Sequence, residues 1–92
     1  MQLYRRKDTG AEVEAIQLTK ENIQEVAEWC VGQEVKEIDS LDNSKTYVGL
    51  NFISWDGMAR ASEGDYIIKD PLGNFISRWG SSFEETFEKV GE

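Results

Sequence analysis

Apolar residues recur along this chain at two spacings, and the switches between them mark its elements. Between Thr19 and Val31, the residues Ile23, Val26, Ala27 and Cys30 fall at i, i+3, i+4 and i+7. That is the stripe of a helix that buries one side. Thr19 is placed to cap it, with Leu18 and Ile23 at the spacing of a hydrophobic staple. Gly32 stands where a left-handed residue closes such a helix. Glu21, Glu25 and Glu28 take the opposite side.

Elsewhere the pattern is that of strands. Ala11 to Leu18 alternates imperfectly, with Val13 and Ala15 facing one way and Ile16 and Leu18 the other. A strand buried on both faces near its end reads this way. Gln33 to Leu41 alternates poorly and supports at most a short strand. Thr46 to Trp55 is rich in aromatic and β-branched residues, a long strand. Asp56-Gly57 then turns it into an antiparallel return over Met58 to Ala61. Tyr66 to Lys69 and Phe75 to Trp79 form a second hairpin around Asp70-Pro71-Leu72-Gly73, a type I turn signature. Ser81 or Ser82 caps a short helix over Phe83 to Val90, or the same segment is a last strand; eight residues leave both open. Before Ala11, the apolar pair Leu3 and Tyr4 precedes a basic cluster and a turn at Lys7 to Gly10.

The expected architecture is a single α+β domain over residues 1–92. One amphipathic helix packs on an antiparallel sheet of about five strands, with a short C-terminal helix as an option. At 92 residues there is no room for a second domain.

Charge and composition narrow the function classes. Eighteen acidic and ten basic residues give a net charge of −8. Such a balance opposes phosphate-backbone binding, so direct nucleic-acid binding is not expected. It suits solubility or a basic partner. No apolar run approaches a membrane span. Arg5-Arg6-Lys7 has no apolar stretch after it, so a secretory signal is not expected. The single Cys30 has no partner for an internal disulfide, and a reducing cytoplasm is the simplest setting.

The chemistry on offer is sparse. Histidine is absent, which removes the usual general base and the commonest transition-metal ligand. Cys30 lies on the buried stripe near a helix C-terminus, a place that disfavours a thiolate. Asp39, Asp42 and Asn43 share a loop without a calcium-loop pattern, and Asp65 and Asp70 leave their strand on opposite faces. No catalytic residue, metal site or cofactor is expected, and the chain is read as a non-enzyme.

Three features point to binding. Trp29 sits at the margin of the helix stripe, and Trp79 closes a strand beside Gly80. The ridge of Glu21, Glu25 and Glu28, with Glu84, Glu85 and Glu88 near the C-terminus, forms an acidic surface if the two sets align. A small-ligand reading needs Arg60, Lys69 and Arg78 to converge beside an aromatic ring. Phe75, Trp79 and Tyr66 on a sheet face would suit base stacking, but too few cations accompany them.

The order of several segments carries a resemblance. YRRK, VEAIQLT, EVAEWC closed by Gly32, ARASEGDYIIKD, GNF and FEETFEKV span most of the chain. In that order they resemble a group of small proteins encoded by bacteriophages and prophages, most of unassigned function. The stretch Ser77 to Ser82 (SRWGSS) departs from the group, which carries a Pro/Cys-containing stretch there. The resemblance implies an accessory protein acting in the host bacterial cytoplasm, and no catalytic residues. The leading expectation is a protein that binds and modulates a host protein, such as a defence or housekeeping component. The alternatives are an acidic nucleic-acid mimic and a protein that sequesters a nucleotide signal. Homo-oligomerisation is left open.

Overall fold

A computed structural model describes residues 1–38, 41 and 46–91. The order of elements is β1 (Gln2–Arg6), β2 (Glu12–Gln17), α1 (Ile23–Cys30), β3 (Gln33–Ile38), β4 (Thr46–Ser54), β5 (Gly57–Ser62), β6 (Tyr66–Lys69), β7 (Phe75–Arg78), α2 (Gly80–Thr86) and β8 (Phe87–Lys89). The fold is α+β and every strand pairing is antiparallel, as the pattern implied. The strands divide between two sheets instead of one. The larger has the order β7-β6-β2-β1-β8, and the smaller β3-β4-β5.

Alternation along β2 and β6 places the cores. Ile16, Leu18 and Ile67 leave one face of the larger sheet. They meet Ile23, Val26 and Cys30 of α1 and Val48, Leu50, Phe52 and Ala61 of the smaller sheet. Ala15, Tyr66 and Ile68 leave the other face, where Phe83 of α2 and Phe87 of β8 cover them. The larger sheet is thus covered on both faces, which is why consecutive apolar residues occur at Ala15-Ile16 of β2 and Tyr66 to Ile68 of β6.

The ends of α1 show how the sequence signals translate. Thr19 N–H donates to Asn22 Oδ1 at 2.9 Å, and Asn22 N–H donates back to Thr19 Oγ1 at 3.3 Å. These are the reciprocal bonds of a capping box, with Asn22 in the place usually held by Glu or Gln. They close one turn before the regular helix starts at Ile23. At the other end, Val31 and not Gly32 is the left-handed residue, at φ 53° and ψ 47°. Gly32 N–H reaches Ala27 O at 2.8 Å, completing a Schellman-type closure. The glycine is displaced by one position because a Cβ there would lie 2.9 Å from Asn51 O on β4.

Both hairpins form, the first with its tip one residue earlier than Asp56-Gly57 implies. Trp55 and Asp56 make the tip of the β4–β5 hairpin, and Gly57 follows at φ 127°. Asp70 Oδ1 accepts from Leu72 N–H and Asn74 N–H, both at 2.9 Å, which holds the Pro71 turn. The C-terminal segment resolves into both alternatives in succession, helix to Thr86 and strand from Phe87.

Candidate functional site

The junction of β7 and α2 carries two of the sequence candidates, the consecutive residues Arg78 and Trp79. Arg78 ends β7, the edge strand of the larger sheet, and lies opposite Tyr66. Trp79 follows with extended backbone, φ −59° and ψ 141°, and α2 starts at Gly80. A shallow, open depression of about 230 Å³ is lined by Ser77, Arg78, Trp79 and Ser82. These residues all belong to the stretch SRWGSS, Ser77 to Ser82.

The backbone carrying Trp79 is fixed on three sides. Trp79 O accepts from Phe83 N–H at 2.8 Å. Gly80 presses on Gly64 O, where a Cβ would come within 2.8 Å. Gly64 is in turn tied to the end of β2, its N–H donating to Leu18 O at 2.8 Å and its carbonyl accepting from Gln17 Nε2 at 3.0 Å. Despite this anchoring, the Trp79 side chain is 75% exposed. Tryptophan is among the residue types enriched at binding hot spots.

Below the depression lies a ladder of rings. Tyr66 and Phe83 stack with centroids 4.0 Å apart, and Phe83 and Phe87 at 4.7 Å. Tyr4 meets Phe83 edge-on at 4.9 Å. The Arg78 guanidinium lies over Phe87 at 6.0 Å, and its Nε donates to Ser82 Oγ at 3.1 Å. Tyr66 hydroxyl donates to Glu84 Oε2 at 3.0 Å. Burial first, and then this bond, push the Tyr66 phenol well above its ordinary range.

The other candidates are placed differently. Trp29 is half-buried and packs against the core, edge-on to Phe75 at 5.1 Å. A helix stripe alone does not reveal that β7 lies against its margin. Glu25 and Glu28 are exposed on α1, and Glu21 is exposed in the turn before it. Glu84 and Glu85 lie on α2, across the larger sheet from α1, so the two acidic sets do not form one ridge. Glu88 is paired with Arg5 at 3.3 Å.

The three cations do not converge. Lys69 leaves the α1 face of the larger sheet, 5.9 Å over the Phe75 ring. Arg78 leaves the α2 face, and Arg60 is on β5 of the smaller sheet. Asp65 and Asp70 spend their carboxylates on loop backbone, Asp65 accepting from Ser62 N–H at 2.9 Å. Asp39, Asp42 and Asn43 lie outside the described residues. Among the described residues no three His, Cys, Asp or Glu gather as a metal site would require. Cys30 is buried, and burial pushes its thiol up, away from nucleophilic use.

One surface feature escaped the sequence reading. Ile53, Trp55 and Met58 are 71%, 72% and 75% exposed at the tip of the β4–β5 hairpin. Ile53 and Met58 are direct cross-strand neighbours. The signal was present: with Val48, Leu50 and Phe52 inward, a period of two puts Ile53 and Trp55 outward.

No family model, curated protein or solved structure matches the chain. No helix among the described residues is long and apolar enough to cross a membrane.

Proposed function

We propose that the chain is a non-enzymatic, phage-encoded accessory protein that binds and modulates a host protein in the bacterial cytoplasm. The observation that supports this reading is Trp79, a large ring held out to solvent on an anchored backbone. Binding hot spots favour tryptophan beside arginine, and a rigid anchor loses little entropy on docking. The phage setting comes from the ordered segment resemblance. The nucleic-acid mimic is less well supported, because its two acidic sets lie on opposite sides of a sheet. The sequestration reading lacks its converging cations.

The test is affinity capture from host cells with the wild-type protein and with Trp79→Ala. The reading expects a host protein enriched by wild type and lost with Trp79→Ala, while both proteins melt alike. Equal capture by both, or a small ligand retained in place of any protein, contradicts it.

A further inference from the structure

We infer that the depression between β7 and α2 is a carboxylate-recognition site. It takes an acidic side chain or chain end of the partner protein, with Trp79 covering the apolar residue beside that carboxylate. This rests on the proposed function and gives the chemistry of the same contact.

Arg78 carries the inference. The chain has eighteen acidic residues for ten basic ones. Yet among the described residues this half-buried guanidinium has no carboxylate within ion-pair reach. Its partners are the Ser82 hydroxyl and the face of Phe87. Both orient the guanidinium plane, and neither neutralises it. The bond from Nε uses one of five N–H donors, leaving the terminal nitrogens for a planar, bidentate acceptor. Ser82 lines the same depression and adds a hydroxyl donor.

Charge decides between carboxylate and phosphate. The other candidate cations, Lys69 and Arg60, are elsewhere. A phosphate near −2 would meet a single guanidinium against a net charge of −8, and a carboxylate brings about half that repulsion. The adjacent exposed indole adds apolar contact that a bare phosphate does not use.

The test is NMR titration of nitrogen-15-labelled protein, following the Arg78 Nε–H and Trp79 indole N–H signals. Four probes are used: N-acetyl-leucine, N-acetyl-leucyl-glutamic acid α-amide with its side-chain carboxylate free, N-acetyl-leucinamide and inorganic phosphate. A carboxylate probe should move both signals saturably in the millimolar range expected for so small a ligand. The uncharged amide should bind at least tenfold more weakly, and Arg78→Gln should remove the difference. Response to the first probe alone marks a chain end, and to the second alone a side chain. Equal binding of the amide, tighter binding of phosphate, or saturation by no probe overturns the inference. Capture from host cells separates the two claims. A partner lost with Trp79→Ala but kept with both Arg78→Gln and Arg78→Lys refutes the carboxylate site and leaves the binding function standing. A partner kept by all three variants refutes both.

Discussion

Gly80 stands so close to Gly64 that a Cβ on it would lie 2.8 Å from the Gly64 carbonyl oxygen. The start of α2 is thereby seated on the β5–β6 turn, and Trp79 is aimed from a fixed point. Gly80→Ala must push these backbones apart. We expect a loss of about 1–3 kcal/mol in chemical denaturation, the cost of overpacking. The Trp79 signals in the folded variant should shift as well. A variant as stable as wild type with unshifted signals would show that the contact is not tight.

The closure of α1 gives a pair of opposite expectations. Val31 is left-handed and 86% exposed, so its side chain contributes strain and little packing. Val31→Gly should stabilise by about 0.5–1 kcal/mol after the entropy cost of glycine. Gly32→Ala should destabilise by about 1–3 kcal/mol, because its Cβ meets Asn51 O and Leu50 Cδ1. Urea midpoints of the two variants check both signs. The same direction in both would refute this account of why the glycine is displaced.

Tyr66 sets an alkaline limit. Its folded pKa is raised, so its contribution is fully present below the unfolded value near 10 and is lost as pH rises through the folded value. At neutral pH, Tyr66→Phe should cost about 1 kcal/mol for the bond to Glu84. Above about pH 10 the wild type should lose stability faster than the variant, closing the gap. Denaturant midpoints between about pH 8 and 11 measure it. A constant or widening gap contradicts the linkage.

Cys30 should behave as core material. Buried and with its thiol pushed up, it should react with an aromatic disulfide reagent in native buffer far more slowly than in denaturant. Fast native labelling at neutral pH would reopen a chemical role for the thiol.

Local patterns were readable where they are set by neighbours in sequence. The α1 stripe, both hairpins and the two-faced burial of β2 all follow from spacing and turn residues. The strand β1 was not read, because its partners are β2 and the distant β8, and only Tyr4 and Gln2 are partly buried within it. The split into two sheets was likewise invisible, since it depends on which strands meet and not on any one strand's pattern. Of the site, Trp79 and Arg78 were named from sequence but for different readings. They are neighbours in sequence, but the seat of Gly80 on Gly64 that fixes the backbone after them is a contact that no periodicity encodes. The packing of Trp29 was not legible for a similar reason: its neighbour Phe75 is remote in sequence.

The central claim is that function lies in a macromolecular contact at the Trp79 face. Photo-crosslinking in host cells tests it most directly, with p-benzoylphenylalanine placed at exposed Ser81 beside Trp79 or at exposed Glu25 on α1. The account predicts a discrete host-protein adduct from position 81, absent when Trp79→Ala is added, and none from position 25. An adduct from position 25 alone, or one at position 81 that survives Trp79→Ala, would contradict it.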